Sequence, residues 1–308
     1  MGLSKKHGAT MNTQNTNCQQ YLPPAWSSAI FAQFDWKAGD VVISSAAKQG
    51  TTWMQNIVHQ LRTGGDADFE DINEECPRPE FVEYPGQEDR ERLERWENGV
   101  FKKYPFRAIK THAVPPKLPF EPQVKYIIPV RNGKDSLVSF YYYRNNTTEE
   151  FRELWGGRPF PFPSFDVFFD CYLHQWRSYW NCINAWLPYR HSENVLFIHY
   201  ADLKRDLEGN LNRIANFLDL EISSGQWLSI IEKCGFQWMR DNSHKFESRV
   251  IPLNIPILNK GGMIRKGKVG DYRDLFTPEQ EIEWDTLHQE MLPDEAIRNW
   301  CDNGGKLP

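Results

Sequence analysis

Short apolar runs alternate with amphipathic stretches along this chain. "DVVISS", Asp40 to Ser45, holds a β-branched run that predicts a buried strand. A helix is predicted from about Thr52. Trp53, Ile57 and Leu61 stand four apart with Met54 and Val58 beside them, giving one apolar face. Thr51 or Thr52 is placed to cap it. "FRAIKTH", Phe106 to His112, predicts a second strand. "VKYIIPVRNGKDSLVSFYYY", Val124 to Tyr143, reads strand, tight turn at Asn132-Gly133, then helix with Asp135 near its start. "ENVLFIHYADL", Glu193 to Leu203, predicts another strand. A helix over about Asp206 to Leu218 follows, with Leu207, Leu211, Ile214 and Leu218 at helical spacing.

Strands alternating with helices predict an α/β fold, a single domain with a central parallel sheet flanked by helices. Ligands of such sheets sit at the carboxyl ends of the strands. Lys48, His112, Arg131 and Tyr200 all lie at or just past such ends. Residues 1–20 read as a disordered tail and 21–308 as the domain.

The stretches between these elements are looser. The acidic segment around Glu70 to Glu97 contains proline. "LWGGRPFPFPSF", Leu154 to Phe165, carries aromatics either over a cleft or into packing. "NKGGMIRKGKVGDYRD", Asn259 to Asp274, is glycine-rich and basic, as a lid over an anion or a solvated loop would be.

Composition narrows the classes. At 40% hydrophobic and 25% charged residues the chain reads as soluble and globular. A net charge of −5 excludes bulk attraction to nucleic acid or an anionic membrane, so an anion site must be a local cluster. The first twenty residues hold no apolar signal region, Lys6 breaks the myristoylation pattern, and no run is long enough to span a membrane. The cysteines (Cys18, Cys76, Cys171, Cys182, Cys234, Cys301) are scattered, which predicts reduced thiols and a cytoplasmic protein. No histidine or cysteine spacing predicts a metal site.

The chemistry concentrates in "SSAAKQGTTWMQNIVHQLR", Ser44 to Arg62. A nucleoside-triphosphate P-loop reads G-x-x-x-x-G-K-S/T, with its lysine after the last glycine. Here Lys48 precedes Gly50, and Thr51-Thr52 follow. A glycine turn into a helix N-terminus still suits a phosphate. Arg131, Ser139 and Arg265-Lys266-Gly267 could hold a second one, so a ligand with two separated phosphate-like ends fits better than ATP.

Lys48-Gln49-Gly50-Thr51-Thr52-Trp53, Lys110-Thr111-His112, Arg131 to Asp135 with Ser139, Tyr200, and Arg265-Lys266-Gly267 with Gly270-Asp271 resemble the cytosolic sulfotransferase family. The likeness runs from about Trp26 to Glu283, and five motifs in the family's order make it specific. It implies a donor, 3′-phosphoadenosine 5′-phosphosulfate (PAPS), and transfer of its sulfuryl group to a hydroxyl or amine of a small molecule.

By this resemblance Lys48, Gln49, Gly50, Thr51 and Thr52 would hold the phosphosulfate. Trp53 and Phe236 would flank the adenine, with Tyr200, Cys234 and Met239 near the adenosine. Arg131, Ser139, Arg265, Lys266 and Gly267 would hold the 3′-phosphate. His112 would be the general base, aided by Lys48, Lys110 and Ser139. Ala47, Phe81, Tyr84, His112, Tyr143 and the 154–165 loop would form the acceptor pocket, with room for a cationic acceptor beside the acidic segment. A catalytically silent nucleotide-binding protein and an ATP-using enzyme are the competing readings. Gln49, Gly133, Cys234 and Tyr272 depart from the family pattern. The usual dimer motif would fall on Arg273 to Ile282, where Thr277 alone matches, leaving monomer or homodimer open.

Overall fold

In the computed structural model, which describes residues 17–22, 25–65 and 68–308, the runs read above as strands line up side by side. β1 (Val41–Ser44), β2 (Ala108–Thr111), β3 (Lys125–Val130) and β4 (Val195–His199) form one parallel sheet in the order β2-β1-β3-β4. The helices that position the site are α1 (Thr51–Thr63), α2 (Gly133–Asn145), α3 (Ser178–Trp186), α4 (Leu207–Phe217), α5 (Ser224–Cys234) and α6 (Pro278–Met291).

Successive strand side chains point to opposite faces, and each face has its own core. Val41, Ile43 and Ile127 pack with Met54, Ile57 and Val58 of α1 and with Leu211 and Ile214 of α4. Val42, Ile109, Tyr126 and Ile128 pack on the other side with Tyr179, Trp180 and Trp186 of α3 and Trp284 of α6. The strands read as continuous apolar runs because both faces are covered.

Several expectations need correction. The strand predicted over Glu193 to Leu203 ends at His199, and a short helix, Tyr200–Arg205, begins at once. Neither Thr51 nor Thr52 caps α1. The cap position is Gly50, in the left-handed region at φ 93°, with no side-chain cap bond. Thr51 is instead the first helical residue, its Oγ1 2.8 Å from Ser45 Oγ. The tight turn expected at Asn132-Gly133 is a helix cap followed at once by the helix. Asn132 caps α2 by accepting from the Asp135 N–H, and Gly133 starts the helix. A Cβ at Gly133 would lie 2.4 Å from Trp284 Cζ2 and 2.9 Å from Tyr179 Cε1, so close packing explains the glycine.

The disordered tail expected over residues 1–20 does not hold for its last residues. Positions 1–16 lie outside the described residues, but Cys18–Tyr21 form a turn of 3-10 helix whose Cys18 and Tyr21 are buried in the main core. The expectation of wholly reduced thiols also fails. Cys18 and Cys171 are joined in a disulfide, while Cys76, Cys182, Cys234 and Cys301 are free and buried. A pair 153 residues apart carries no spacing signal; tertiary contacts, among them Tyr21 stacked on Phe162 and Arg158 donating to the Gln19 carbonyl, bring those segments together. Thr277, the one matched position of the dimer motif, caps α6 with Gln280 in a reciprocal capping box. Among the described residues, no helix is long and apolar enough to cross a membrane.

Candidate active site

The residue after each strand end opens onto the same edge of the sheet: Ser45, His112, Arg131 and Tyr200. In spatial order these are His112, Ser45 with its following loop, Arg131 and Tyr200. Neighbouring strands lie about 4.8 Å apart, so His112 and Arg131 stand off strands separated by roughly 10 Å. Lys48 is carried on the loop between them. A cavity of about 790 Å³ runs along this edge, with lysine and arginine side chains lining it throughout.

The loop after β1 is shaped by two left-handed residues, Lys48 at φ 64° and Gly50 at φ 93°. Gly50 also packs on Tyr200, where a Cβ would come within 3.0 Å of the ring. With no side-chain cap on α1, its first N–H groups face a place where an anion can meet them. Gln49, expected at the ligand, turns away from the cavity. Its Oε1 accepts from the Arg131 N–H at 2.5 Å and its Nε2 donates to Ser136 Oγ at 2.7 Å, tying the β1 loop to the start of α2.

Burial pushes the Lys48 ammonium down to about 7, helped by Lys110, Arg131 and Arg265. Lys110 is pushed down to about 8, again by burial first and then by Arg78. His112 is pushed down to about 3 by burial, with Lys110, Arg78 and Lys48 adding to it. Burial is the first cause in each case, and the lysines and arginines crowded at this end of the sheet add to it. His112 Nδ1 lies 2.8 Å from the Ser45 carbonyl, and its backbone N–H donates to Glu80 Oε1 at 2.8 Å. Because a carbonyl only accepts, Nδ1 carries the proton and Nε2 keeps the lone pair.

At the far end, Arg131 lies with its guanidinium 4.7 Å from the centre of the Tyr200 ring and donates to the Lys268 carbonyl at 2.9 Å. Asp135 accepts from the Gly270 and Tyr272 N–H groups and so pins the 259–274 loop to α2. On that loop Arg265 and Lys266 both pair with Asp271. Trp53 meets Tyr200 edge-on at 5.3 Å, and its Nε1 donates to the Cys234 carbonyl at 2.8 Å. Gly267, at φ 59°, lies under Phe236, where a Cβ would fall 2.4 Å from the ring.

The cavity therefore gathers most of the expected residues. Ala47, Lys48, Gly50, Thr51, Thr52 and Trp53 line it from the β1 loop and α1. Lys110, His112, Arg131 and Tyr200 line it from the strand ends, and Ser139 and Tyr143 from α2. Phe81, Phe236, Met239, Arg265, Lys266 and Gly267 complete it. Three expected residues do not line it. Gln49 acts through Arg131, Cys234 through its carbonyl on Trp53, and Tyr84 is turned to Glu91.

Of the 154–165 loop, Pro159 alone lines the cavity; Phe162 and Phe165 are buried in the core. The acidic segment brings Arg78 and Phe81 to the cavity but none of its carboxylates. Glu83 pairs with Arg95, Glu75 with Lys103 and Asp89 with Arg92. The carboxylate lining the cavity among the described residues is Asp271.

Residues without any sequence signal also matter. The Trp26 ring lies over His112, with centroids 6.2 Å apart and planes at 15°. Ala25 to Ser27 reach this place by pairing with Glu80 to Val82 through backbone hydrogen bonds. Met263 covers Lys48 and Thr52, its Sδ 3.7 Å from Nζ and from Oγ1. Arg144, on α2, lines the cavity as well.

A parallel sheet whose strand ends carry an uncapped helix N-terminus, paired cations and a neutral histidine defines a group-transfer site for an anionic donor. The family profile for the sulfotransferase domain matches residues 38–295. The chain belongs to the sulfotransferase family. It is 25% identical to human sulfotransferase 1C2 over 290 residues, covering 90% of each chain. Mouse sulfotransferase 6B1 is 30% identical over 274 residues, 86% of this chain and 80% of its own. The crystal structure of mouse sulfotransferase SULT7A1 complexed with PAP superimposes with a TM-score of 0.66 at 25% identity, covering 89% of this chain and 91% of that one.

Proposed function

We propose that this sulfotransferase moves the sulfuryl group of PAPS to a hydroxyl or amine of a small-molecule acceptor. The observation that carries the reading is the row His112, Lys48, Arg131 along one sheet edge, beside the uncapped start of α1. When bound, PAPS supplies an activated sulfuryl group, a 5′-phosphate leaving group and a 3′-phosphate handle. The residues fit such a molecule: the left-handed turn at Lys48 and Gly50 makes a concavity of N–H groups, and the cations are too many for a single phosphate.

In this reading Lys48, Gly50, Thr51 and Thr52 hold the 5′ end. Arg131, Ser139, Arg265, Lys266 and Gly267 hold the 3′-phosphate, and Trp53, Tyr200, Phe236 and Met239 enclose the adenine. Nε2 of His112 takes the proton of the attacking hydroxyl as a general base. Lys48 neutralises charge on the oxygen left behind, and Lys110 adds to the same field. The remaining work is positioning, as in phosphoryl transfer. No metal ion enters this reading. A cytoplasmic location belongs to the proposal, and fractionation of expressing cells tests it.

Calorimetric titration with adenosine 3′,5′-bisphosphate (PAP) tests the donor, with binding expected at micromolar concentration. No binding at ~100 µM, about −5.5 kcal/mol, would sink the proposal. Labelled sulfuryl transfer to a diverse acceptor panel separates a working enzyme from a silent nucleotide binder.

A further inference from the structure

Arg144 is 6% exposed, yet it lines the cavity. It sits on α2 one turn after Phe140 and one turn before Thr147, both of which also line the cavity. From Ser139, at the donor end, Arg144 is roughly 7.5 Å further along the helix axis. Its neighbour Tyr143 stands by Lys48, whose Nζ is 4.7 Å from the Tyr143 ring centre. Arg144 thus belongs to the part of the cavity beyond the transferring group.

Its partners do not neutralise it. Nη2 donates to the Tyr21 carbonyl, Nε is buried with no hydrogen-bond partner, and the titratable neighbour that acts on it is the Tyr143 phenol rather than a carboxylate. Burial pushes its guanidinium down to about 10. An isolated buried charge is costly unless an opposite charge meets it. The lining of the cavity also includes the apolar side chains of Leu22, Phe140, Phe151 and Trp176. Arg78 adds a second cation near His112, stacked 4.0 Å from the Phe81 ring centre. Glu80, the carboxylate nearest in sequence, is held by the His112 N–H and does not line the cavity.

We infer that the acceptor is an organic acid with an apolar body, whose carboxylate pairs with Arg144 while its hydroxyl or amine meets His112. This rests on the sulfuryl-transfer reading above. The charged hydrogen bond would be formed in a water-poor recess, where such pairs are strong. A cationic acceptor would face Arg144, Arg78 and Lys110, while Asp271, the carboxylate lining the cavity among the described residues, is already paired with Arg265 and Lys266.

The test uses matched acceptors: 4-hydroxyphenyl-alkanoic acids of increasing chain length and their methyl esters, with PAPS as donor. At the best chain length, kcat/KM for the acid is expected to exceed that for its ester by about tenfold or more, and the ratio should fall with added salt. Arg144→Gln is expected to bring that ratio to near one, and Arg144→Lys to restore part of it. Esters equal to or better than acids at every length would overturn the inference. So would an Arg144→Gln protein that loses activity overall but keeps the ratio, since Arg144 would then only peg Tyr21. If the variants do not fold, the wild-type acid-to-ester ratio decides alone. Where turnover is slow, calorimetry of the same pairs on PAP-loaded protein reads the preference, and equal affinities count against it. Absence of PAP binding would strike the donor reading instead, whereas good PAP binding with preferred esters strikes only this inference.

Discussion

The imidazole of His112 hangs from the carbonyl of Ser45, with Nδ1 2.8 Å from that oxygen. The residue just past β1 thus sets the tautomer of the residue just past β2, and Nε2 keeps the lone pair that the proposed general base needs. Burial and the cations Lys110, Arg78 and Lys48 keep the ring neutral, pushed down to about 3. In the free protein His112 is therefore expected to stay uncharged at pH 5, as its NMR titration would register. His112→Ala is expected to lose about 10²–10⁴ in turnover with PAP binding kept. A variant as active as wild type would rule out the base assignment.

Lys48 is expected to couple donor binding to pH. In the free protein its ammonium is pushed down to about 7 by burial first and by neighbouring cations second. Anionic phosphates favour the charged form, so binding raises this pKa. Between pH 7 and 9 PAP binding should take up a proton and weaken as pH rises. Calorimetry in buffers of different ionisation enthalpy measures the uptake. A pH-independent affinity from 6.5 to 9 would refute it.

Gln49 is expected to act through its neighbours. Gln49→Ala removes the partner of the Arg131 N–H and of Ser136 Oγ. The loss is expected to be about 1–3 kcal/mol of stability in urea unfolding. PAP affinity should fall as well, because the β1 loop and the start of α2 come unlinked.

Gly133 tests the packing of α2. Gly133→Ala drives a methyl into Trp284 and Tyr179. Overpacking of this kind costs about 1–3 kcal/mol, readable as a lowered urea midpoint. An unchanged midpoint would mean that α6 yields.

The Cys18–Cys171 disulfide ties down the segment carrying Tyr21, Leu22 and Trp26, whose Leu22 and Trp26 line the cavity where the acceptor is proposed to sit. Reduction, or Cys18→Ser, is expected to cost ~2–4 kcal/mol, seen as a lower melting temperature with dithiothreitol. The acceptor KM should rise while PAP affinity holds. Equal melting curves with and without reductant would argue against the link.

How far the chain could be read depends on range. β1, the loop at Lys48 to Gly50, α1 and the β3–α2 turn are local patterns of periodicity and turn chemistry, and each lies within a residue or two of its expected place. Errors arose where a distant partner decides. Tyr200 continues an apolar pattern, yet β4 stops at His199, where β3 ends with its partner Val130. Thr51 looks like a cap, but the left-handed Gly50 takes that position and Ser45 takes its hydroxyl. Gly133 looks like a turn residue, but Trp284, more than a hundred positions away, requires it.

The sequence by itself determined an α/β sheet, a phosphate-type loop with its lysine before the glycine, and the residues that follow each strand. These are local matters, set by side-chain alternation and backbone freedom. Only the tertiary structure decided which of those residues share a cavity and what stands opposite them. Trp26 reaches His112, Gln49 turns toward Arg131, carboxylates of the acidic segment form ion pairs, and Arg144 is buried with its Nε unpaired among the described residues. Such relations depend on burial and on charges brought together from distant parts of the chain, and neither is written in local spacing.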